Sequence, residues 1–245
     1  TLTLGLADRR CFVAACRFSG QHDYTAGSVR GHTRGIGPPL GAADFLFCRG
    51  SAIYSGWGCA AVDGKTAVAF IGVSTFFHSG MTGLVNAVFN RHNLLVVILD
   101  NGTTAMTGHQ PNPGVAQDVL GDGCVHLDIE SIVKGCGVPS IAKVRGYNLK
   151  SLQKHLQEFK EQNGVRVLIV EEPCVLFARR TLKKARGQRA YVAEQNESAR
   201  ACLENFACPA FRCEGEQIGV DEELCAGCMV CMQLSPSFKA RKRGE

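Results

Sequence analysis

The chain has 245 residues, 45% of them hydrophobic and 20% charged, which leaves room for one α/β domain of roughly 190 residues and a small appendage. The net charge is +5, but only 7% aromatics and no recognisable binding motif argue against nucleic-acid binding. Thirteen cysteines, an odd number that is densest near the end, exclude a secreted disulfide framework and indicate a reducing, cytoplasmic setting with metal or cluster ligation.

In chain order, residues 1–24 give weak signals, with no signal peptide visible. Gly35-Ile36-Gly37-Pro38-Pro39-Leu40 marks a turn, and its spacing fails the dinucleotide fingerprint at Leu40. Cys48-Arg49-Gly50-Ser51 leads into a helix over 52–61, whose small residues suit close packing on a sheet. An apolar run over 67–71 ends in Gly72 and is followed by Ser74 and Thr75, the pattern of a buried strand stopping at a helix start. That helix is expected over 75–91, with Phe76, Leu84 and Val88 on its apolar face, and a second strand over 94–99 ends in Asp100-Asn101-Gly102. In a parallel sheet these two strand ends share one crevice, where helix amides would face an anion and the polar turn a metal. A helix over 128–136, a strand over 141–145, a helix over 148–162 capped by Asn148 and a strand over 165–171 continue the alternation. The pattern predicts a doubly wound parallel sheet. Its apolar runs are too short to span a membrane.

The polar stretch 183–197 is expected to be a connector, dividing an α/β domain at 1–190 from a tail at 191–245. Two basic runs, 179–186 and 239–243, are expected as solvated faces and a frayed terminus; the alternative is a docking patch for an acidic electron carrier. In the tail, Cys225-Ala226-Gly227-Cys228-Met229-Val230-Cys231 follows the C-x2-C-x2-C spacing of bacterial ferredoxins, and Cys208-Pro209 supplies a Cys-Pro half-motif upstream. Crossed ligation makes Cys208, Cys225, Cys228 and Cys231 one complete set for a 4Fe-4S cluster. The second set would fall on Asn196, Ala199, Cys202 and Ser235 and keeps a single thiol. A zinc site is the structural alternative, and Cys213 is unassigned.

The segments STFFHSG (74–80) and TTAMTGHQPNPG (103–114), with the cysteine-rich tail, resemble the thiamine-diphosphate-binding domain of indolepyruvate ferredoxin oxidoreductase, in the subunit that carries a ferredoxin-like tail. The resemblance is strong over about 35–114, traceable to 174 and clear again in the tail. It implies a thiamine-diphosphate-binding fold followed by a small ferredoxin-like iron–sulfur segment. It also implies oxidative decarboxylation of an aryl-pyruvate to acyl-coenzyme A, with electrons passed to ferredoxin. Thiamine diphosphate would be lined by Gly50, Ser51, Gly72, Ser74, Thr75, Asn101, Thr103 and Met106. Magnesium would take the Asn101 amide oxygen and the Thr103 carbonyl, but the carboxylate position holds Val73, and Asp100 should point to the opposite face of its strand. The family's Cys-Pro-His-Arg type of motif is met only loosely near Asp8. Catalytic residues stay unassigned: His78 and His109 qualify by residue type alone.

The resemblance further implies a 2-oxo acid, coenzyme A and ferredoxin as partners, and a pyrimidine-binding domain or subunit that supplies the activating glutamate, hence an oligomer. The chain, which opens on Thr1 in what reads as mid-domain, is expected to be a fragment or processed piece. The rival expectation is a non-catalytic, degenerate relative that keeps one cluster and its subunit contacts. A thiamine enzyme unconnected with ferredoxin is disfavoured by the tail.

Overall fold

The computed structural model describes residues 24–28, 43–121, 123–184, 186–206 and 208–243. The readings made on Asp8 and on the 35–40 turn lie outside these residues. Among the described residues, six strands form one sheet: β1 (Tyr24–Ser28), β2 (Phe45–Phe47), β3 (Ala67–Gly72), β4 (Leu94–Asp100), β5 (Ser140–Arg145) and β6 (Val165–Glu171). Their order is β2-β1-β3-β4-β6-β5 and every pairing is parallel. The two central strands, LLVVILD and VRVLIVE, are buried almost throughout, as a sheet covered on both faces requires.

Alternate residues feed two cores. Leu94, Val96 and Ile98 join a cluster with Val165, Val167 and Ile169 on one face. The other face gathers Leu95, Val97, Leu99, Leu168 and Val170. On the first face lie α1 (Ser51–Asp63), α2 and α3 (Ile129–Gly135). Helix α2 is composite: Val73–Thr75, a π-helical turn Phe76–Gly80, and Met81–Phe89. It sits tightly on β3, since a Cβ at Gly80 would fall 2.7 Å from Ile71 Cδ1.

On the second face lies α4 (Leu149–Lys160), whose Leu149, Leu152, Leu156 and Phe159 recur at helical spacing and are all buried. As expected, Asn148 caps it, with Oδ1 accepting the Ser151 amide at 3.0 Å. Asp128 caps α3 in the same way, at 2.7 Å.

Beyond α5 (Val175–Arg180) the tail contains β7 (Gln188–Val192), α6 (Glu197–Phe206), β8 (Phe211–Glu214), β9 (Gln217–Val220), α7 (Val230–Leu234) and β10 (Phe238–Lys242). Two expectations are corrected here. The polar connector at 183–197 contains β7, and the basic terminus at 239–243 is most of β10, its antiparallel partner. The basic residues Lys239, Arg241 and Lys242 are exposed, as expected, but on a strand and not on a frayed end. Arg189, only 1% exposed, donates to the carbonyls of Arg186, Gln188 and Glu222 at 2.7, 2.6 and 3.0 Å. Arg241 lies 5.4 Å above the Tyr191 ring.

The tail joins the sheet core. Phe206, Ile218 and Phe238 share one apolar cluster with Leu152, Leu156 and Leu168, and Phe211 bridges Phe206 and Phe238 with ring centroids 6.2 and 5.1 Å away. Gln233 of α7 clamps the start of α4, accepting the Leu149 amide at 3.1 Å and donating to the Tyr147 carbonyl at 2.8 Å. No helix among the described residues is long and apolar enough to cross a membrane.

Because Phe206 links α6 to this shared cluster, Phe206→Ala is expected to lower unfolding stability by about 3–5 kcal/mol. Glu204→Ala, on the exposed face of the same helix, should stay within about 0.5 kcal/mol. Urea unfolding measures both, and equal small losses would show that the tail does not share the core.

Candidate functional site

The register of β3 against β4 sets Gly72 opposite Leu99, so the first turn of α2 and the loop from Asp100 to Thr104 leave the same sheet edge side by side. Gly72 is extended (φ −79°, ψ 153°) and makes no side-chain cap bond to the helix. The amides of Val73, Ser74 and Thr75 therefore lack intrahelical acceptors and open toward the edge. A Cβ on Gly72 would meet nothing within 4 Å, so the space in front of this turn is clear. These amides, with half-buried Ser74 and Thr75 beside them, form a cradle of the kind that suits a phosphate.

The facing loop is held by its own side chains. Asn101 Oδ1 accepts the Thr103 amide at 3.2 Å, and an Asp100 carboxylate oxygen accepts the Gly102 amide at 2.9 Å. Thr103 is 2% exposed and donates to the Gln110 carbonyl at 3.3 Å. The loop after β6 is tied to it, since the Glu172 and Cys174 amides donate to the Asp100 and Asn101 carbonyls, each at 2.9 Å. His109, at φ 64°, stacks on Phe177 with centroids 5.9 Å apart, and its Nε2 lies 3.6 Å from Cys174 Sγ. Cys174 was missed by sequence reasoning, because the contact crosses 65 residues of chain.

The remaining expected residues divide. Gly50 (φ 79°) brings its loop onto α2 at Ser79, not at the first turn: a Cβ there would fall 2.2 Å from Ser79 Oγ. Ser51 turns inward, its hydroxyl donating to the Cys48 carbonyl at 2.6 Å. Met106 lies in a 3-10 turn, Ala105–Thr107, and its side chain is outside the described residues. His78 is exposed on the π-helical turn. Two buried polar atoms near this edge, Ser79 Oγ and Asn112 Nδ2, lack a hydrogen-bond partner among the described residues.

Val73 is 2% exposed and packs in the apolar cluster under α2, so its side chain offers the edge no oxygen. Asp100 sits toward β5 and β6: burial raises its pKa, the Gly102 amide opposes this, and Glu171 adds to the rise while Lys143 counters it. Among the described residues no three His, Cys, Asp or Glu side chains converge closely enough to hold a metal ion.

In the tail, Cys225 and Cys231 are buried, Cys208 and Cys228 are half-buried, and all four belong to the apolar cluster shared with the sheet. Burial pushes the Cys231 thiol well up, and neighbouring Cys228, Cys202, Cys208 and Cys225 push it further. Cys202 thus shares the apolar cluster, and the electrostatic surroundings of Cys231, with the other three expected cysteines. Its helical spacing from buried Ala199 and Phe206 was the available signal. The other positions of the second set are occupied by a hydrogen-bond network. Asn196 Oδ1 accepts the Ala199 amide at 3.0 Å and the Ser237 hydroxyl at 2.7 Å, and Ser198 and Ser235 hydroxyls meet at 2.8 Å.

A parallel α/β sheet that presents an uncapped helix start beside an Asn-containing loop at its carboxyl edge has a geometry that suits a phosphate-bearing ligand. Residues 20–170 match the family described as thiamine pyrophosphate enzyme, C-terminal TPP binding domain. The chain belongs to that family, in its indolepyruvate and 2-oxo-acid:ferredoxin oxidoreductase-like branch. It is 38% identical over 207 residues to the indolepyruvate oxidoreductase subunit IorA of Archaeoglobus fulgidus, covering 84% of this chain and 33% of that protein. With the Thermococcus kodakarensis subunit of the same name it shares 32% over 259 residues, 97% of this chain and 40% of the relative. The chain therefore spans little more than a third of the relatives it matches. The fold is similar to a Magnetococcus marinus 2-oxoglutarate:ferredoxin oxidoreductase, solved with 2-oxoglutarate, coenzyme A and succinyl-CoA (TM-score 0.58, 13% identity, 69% of this chain and 61% of that one). Benzoylformate decarboxylase from Polynucleobacter necessarius is also similar (TM-score 0.51, 16% identity, 67% and 33% covered).

Since folding raises the Asp100 pKa, the folded state keeps this proton to higher pH than the unfolded chain does. Its contribution to stability therefore falls as pH rises from near the ordinary 3.8 toward the raised value. Asp100→Asn, which still accepts from Gly102, should remove that loss. Denaturant unfolding at pH 4 to 8 is expected to show the variant gaining on the unsubstituted protein as pH rises; parallel curves would contradict the burial account.

Proposed function

We propose that this chain is the thiamine-diphosphate- and iron–sulfur-binding portion of an indolepyruvate-type 2-oxo-acid:ferredoxin oxidoreductase. The observation that carries this reading is the pairing, at one sheet edge, of the uncapped first turn of α2 with the Asn101–Thr103 loop. The relatives' name, indolepyruvate oxidoreductase, supports the aryl-pyruvate class of substrate.

In this reading the amides of 73–75, with the Ser74 and Thr75 hydroxyls, hold the diphosphate. Asn101 is oriented by its bond to Thr103, and the Cys174 amide locks the loop from below. The chemistry supplied there, when thiamine diphosphate is bound, is an electron sink for decarboxylation of a 2-oxo acid. Productive orientation of the reacting ring requires a pyrimidine-binding domain or subunit, which we assign to a partner in an oligomer. Coenzyme A and ferredoxin complete the proposed partners, and the cytoplasm the proposed setting.

The fit to magnesium fails at Val73, because a hard cation seeks a carboxylate that this position does not supply. That buried valine favours a second reading, a non-catalytic relative retaining subunit contacts. For the tail, residues 191–245, we propose a ferredoxin-like segment with one 4Fe-4S cluster on Cys208, Cys225, Cys228 and Cys231. Their spacing and their common place in one cluster support this. The described thiols do not themselves converge into a cage, so no electron-transfer step is drawn through it.

Titration calorimetry tests the first site. Thiamine diphosphate should bind weakly and with little dependence on magnesium. Val73→Asp, which buries a carboxylate in a core position, should lower thermal stability on its own and regain it with magnesium and thiamine diphosphate together. Tight magnesium-dependent binding by the unsubstituted chain would mean that another oxygen completes the site.

Iron analysis and electron paramagnetic resonance test the tail. Anaerobically prepared protein should hold about four irons per chain, and two interacting clusters or zinc would refute the assignment.

A further inference from the structure

The basic run at 179–186 does not lie on a flat face. Arg179, Lys184 and Arg186, with Arg145 from the end of β5, line a cavity of about 570 Å3, between the carboxyl ends of β5 and β6, α5 and the cysteine loop at Ala226. That volume lies inside the range of roughly 300–1,000 Å3 usual for small-molecule sites. The four cations face one acidic group, Glu172, which is buried and paired with Arg186 at 3.2 Å.

Two of the cations are fixed in place. Arg186 lies 4.2 Å over the Tyr147 ring, and Arg179 donates to the Cys225 carbonyl at 2.8 Å. The other two, Arg145 and Lys184, have no ion-pair partner among the described residues. Pro173, Val175 and Leu182 supply an apolar wall beside them. The cavity opens at β5 and β6 on the same carboxyl edge as the α2 cradle, which leaves the sheet at β3 and β4, and the Glu172 and Cys174 amides bond its rim to the Asp100–Asn101 loop.

We propose that this cavity is a second ligand site, one that takes a phosphorylated small molecule with a flat apolar body, such as a nucleotide. The reasons are chemical. Arginines fixed by packing and backbone bonds present forked donors at little entropic cost, and phosphate oxygens are their natural acceptors. A concave, partly apolar lining selects a compact ligand over an extended acidic polypeptide, and the exposed faces of the Arg186–Tyr147 stack and the aliphatic wall suit a planar ring.

The test uses the full chain and four probes: ADP, inorganic diphosphate, adenosine and polyglutamate. By titration calorimetry ADP is expected to bind, diphosphate to bind more weakly, and adenosine not at all. ADP affinity should fall about tenfold when ionic strength rises from roughly 50 to 300 mM. The double substitution Arg145→Ala with Lys184→Ala should weaken ADP at least about tenfold, with circular dichroism and the unfolding midpoint unchanged, while thiamine diphosphate binds as before. Arg145→Lys, which keeps the charge, should retain most of the affinity. Adenosine binding as well as ADP, ADP affinity untouched by the double substitution, or binding of polyglutamate in preference to ADP would each overturn the proposal.

Discussion

Backbone pairing of β3 with β4 is the constraint on which the site depends. Parallel strands bring their carboxyl ends to the same edge, and the register that sets Gly72 against Leu99 brings the first turn of α2 beside the Asp100–Thr104 loop. A slip of one residue would exchange the faces of Leu94, Val96 and Ile98 with those of Leu95, Val97 and Leu99 and break the apolar clusters on both sides of the sheet. The two cores therefore hold the cradle as well as the fold.

Along the same edge the loops are tied to one another by main-chain bonds more than by side chains. The Glu172 and Cys174 amides reach the Asp100 and Asn101 carbonyls, so the end of β6 braces the end of β4. Asp100, half-buried with its pKa raised by desolvation, is the cost of closing this corner. Its neighbours Lys143 and Glu171 pair at 2.7 Å, and that pair keeps Glu171 from adding more strongly to the repulsion.

In the tail, a buried cation organises the cysteine loop. Arg189 spends its guanidinium on three backbone carbonyls, and a Cβ at Gly227 would fall 2.6 Å from the Gln188 carbonyl. The loop between Glu222 and Cys228 is thus pressed against β7 closely enough to need glycine there. Where a second thiolate set would stand, Asn196, Ser198, Ser235 and Ser237 satisfy one another. Ser235 and Ser237 are buried and Asn196 and Ser198 exposed, so this is a polar network running from the core to the surface, not a set of thiolate ligands.

Local pattern was sufficient for much of this protein. The apolar runs of β3, β4 and β6, the Asn148 cap and the helical stripe of α4 depend on near neighbours, and their positions were legible from residue order. The cysteine spacing and the segments around Ser74 and Thr103 carried the family. What sequence order could not decide were contacts made across long stretches of chain. The pairing of β7 with β10 joins residues some fifty apart, and its basic residues looked like solvated linker because charge alone does not say which guanidinium is buried against carbonyls. Cys174 beside His109, Cys202 beside Cys231, the inward turn of Val73 and the gathering of Arg145 with Arg179, Lys184 and Arg186 were decided by tertiary packing, since each joins residues from separate elements or depends on how one element is seated against another.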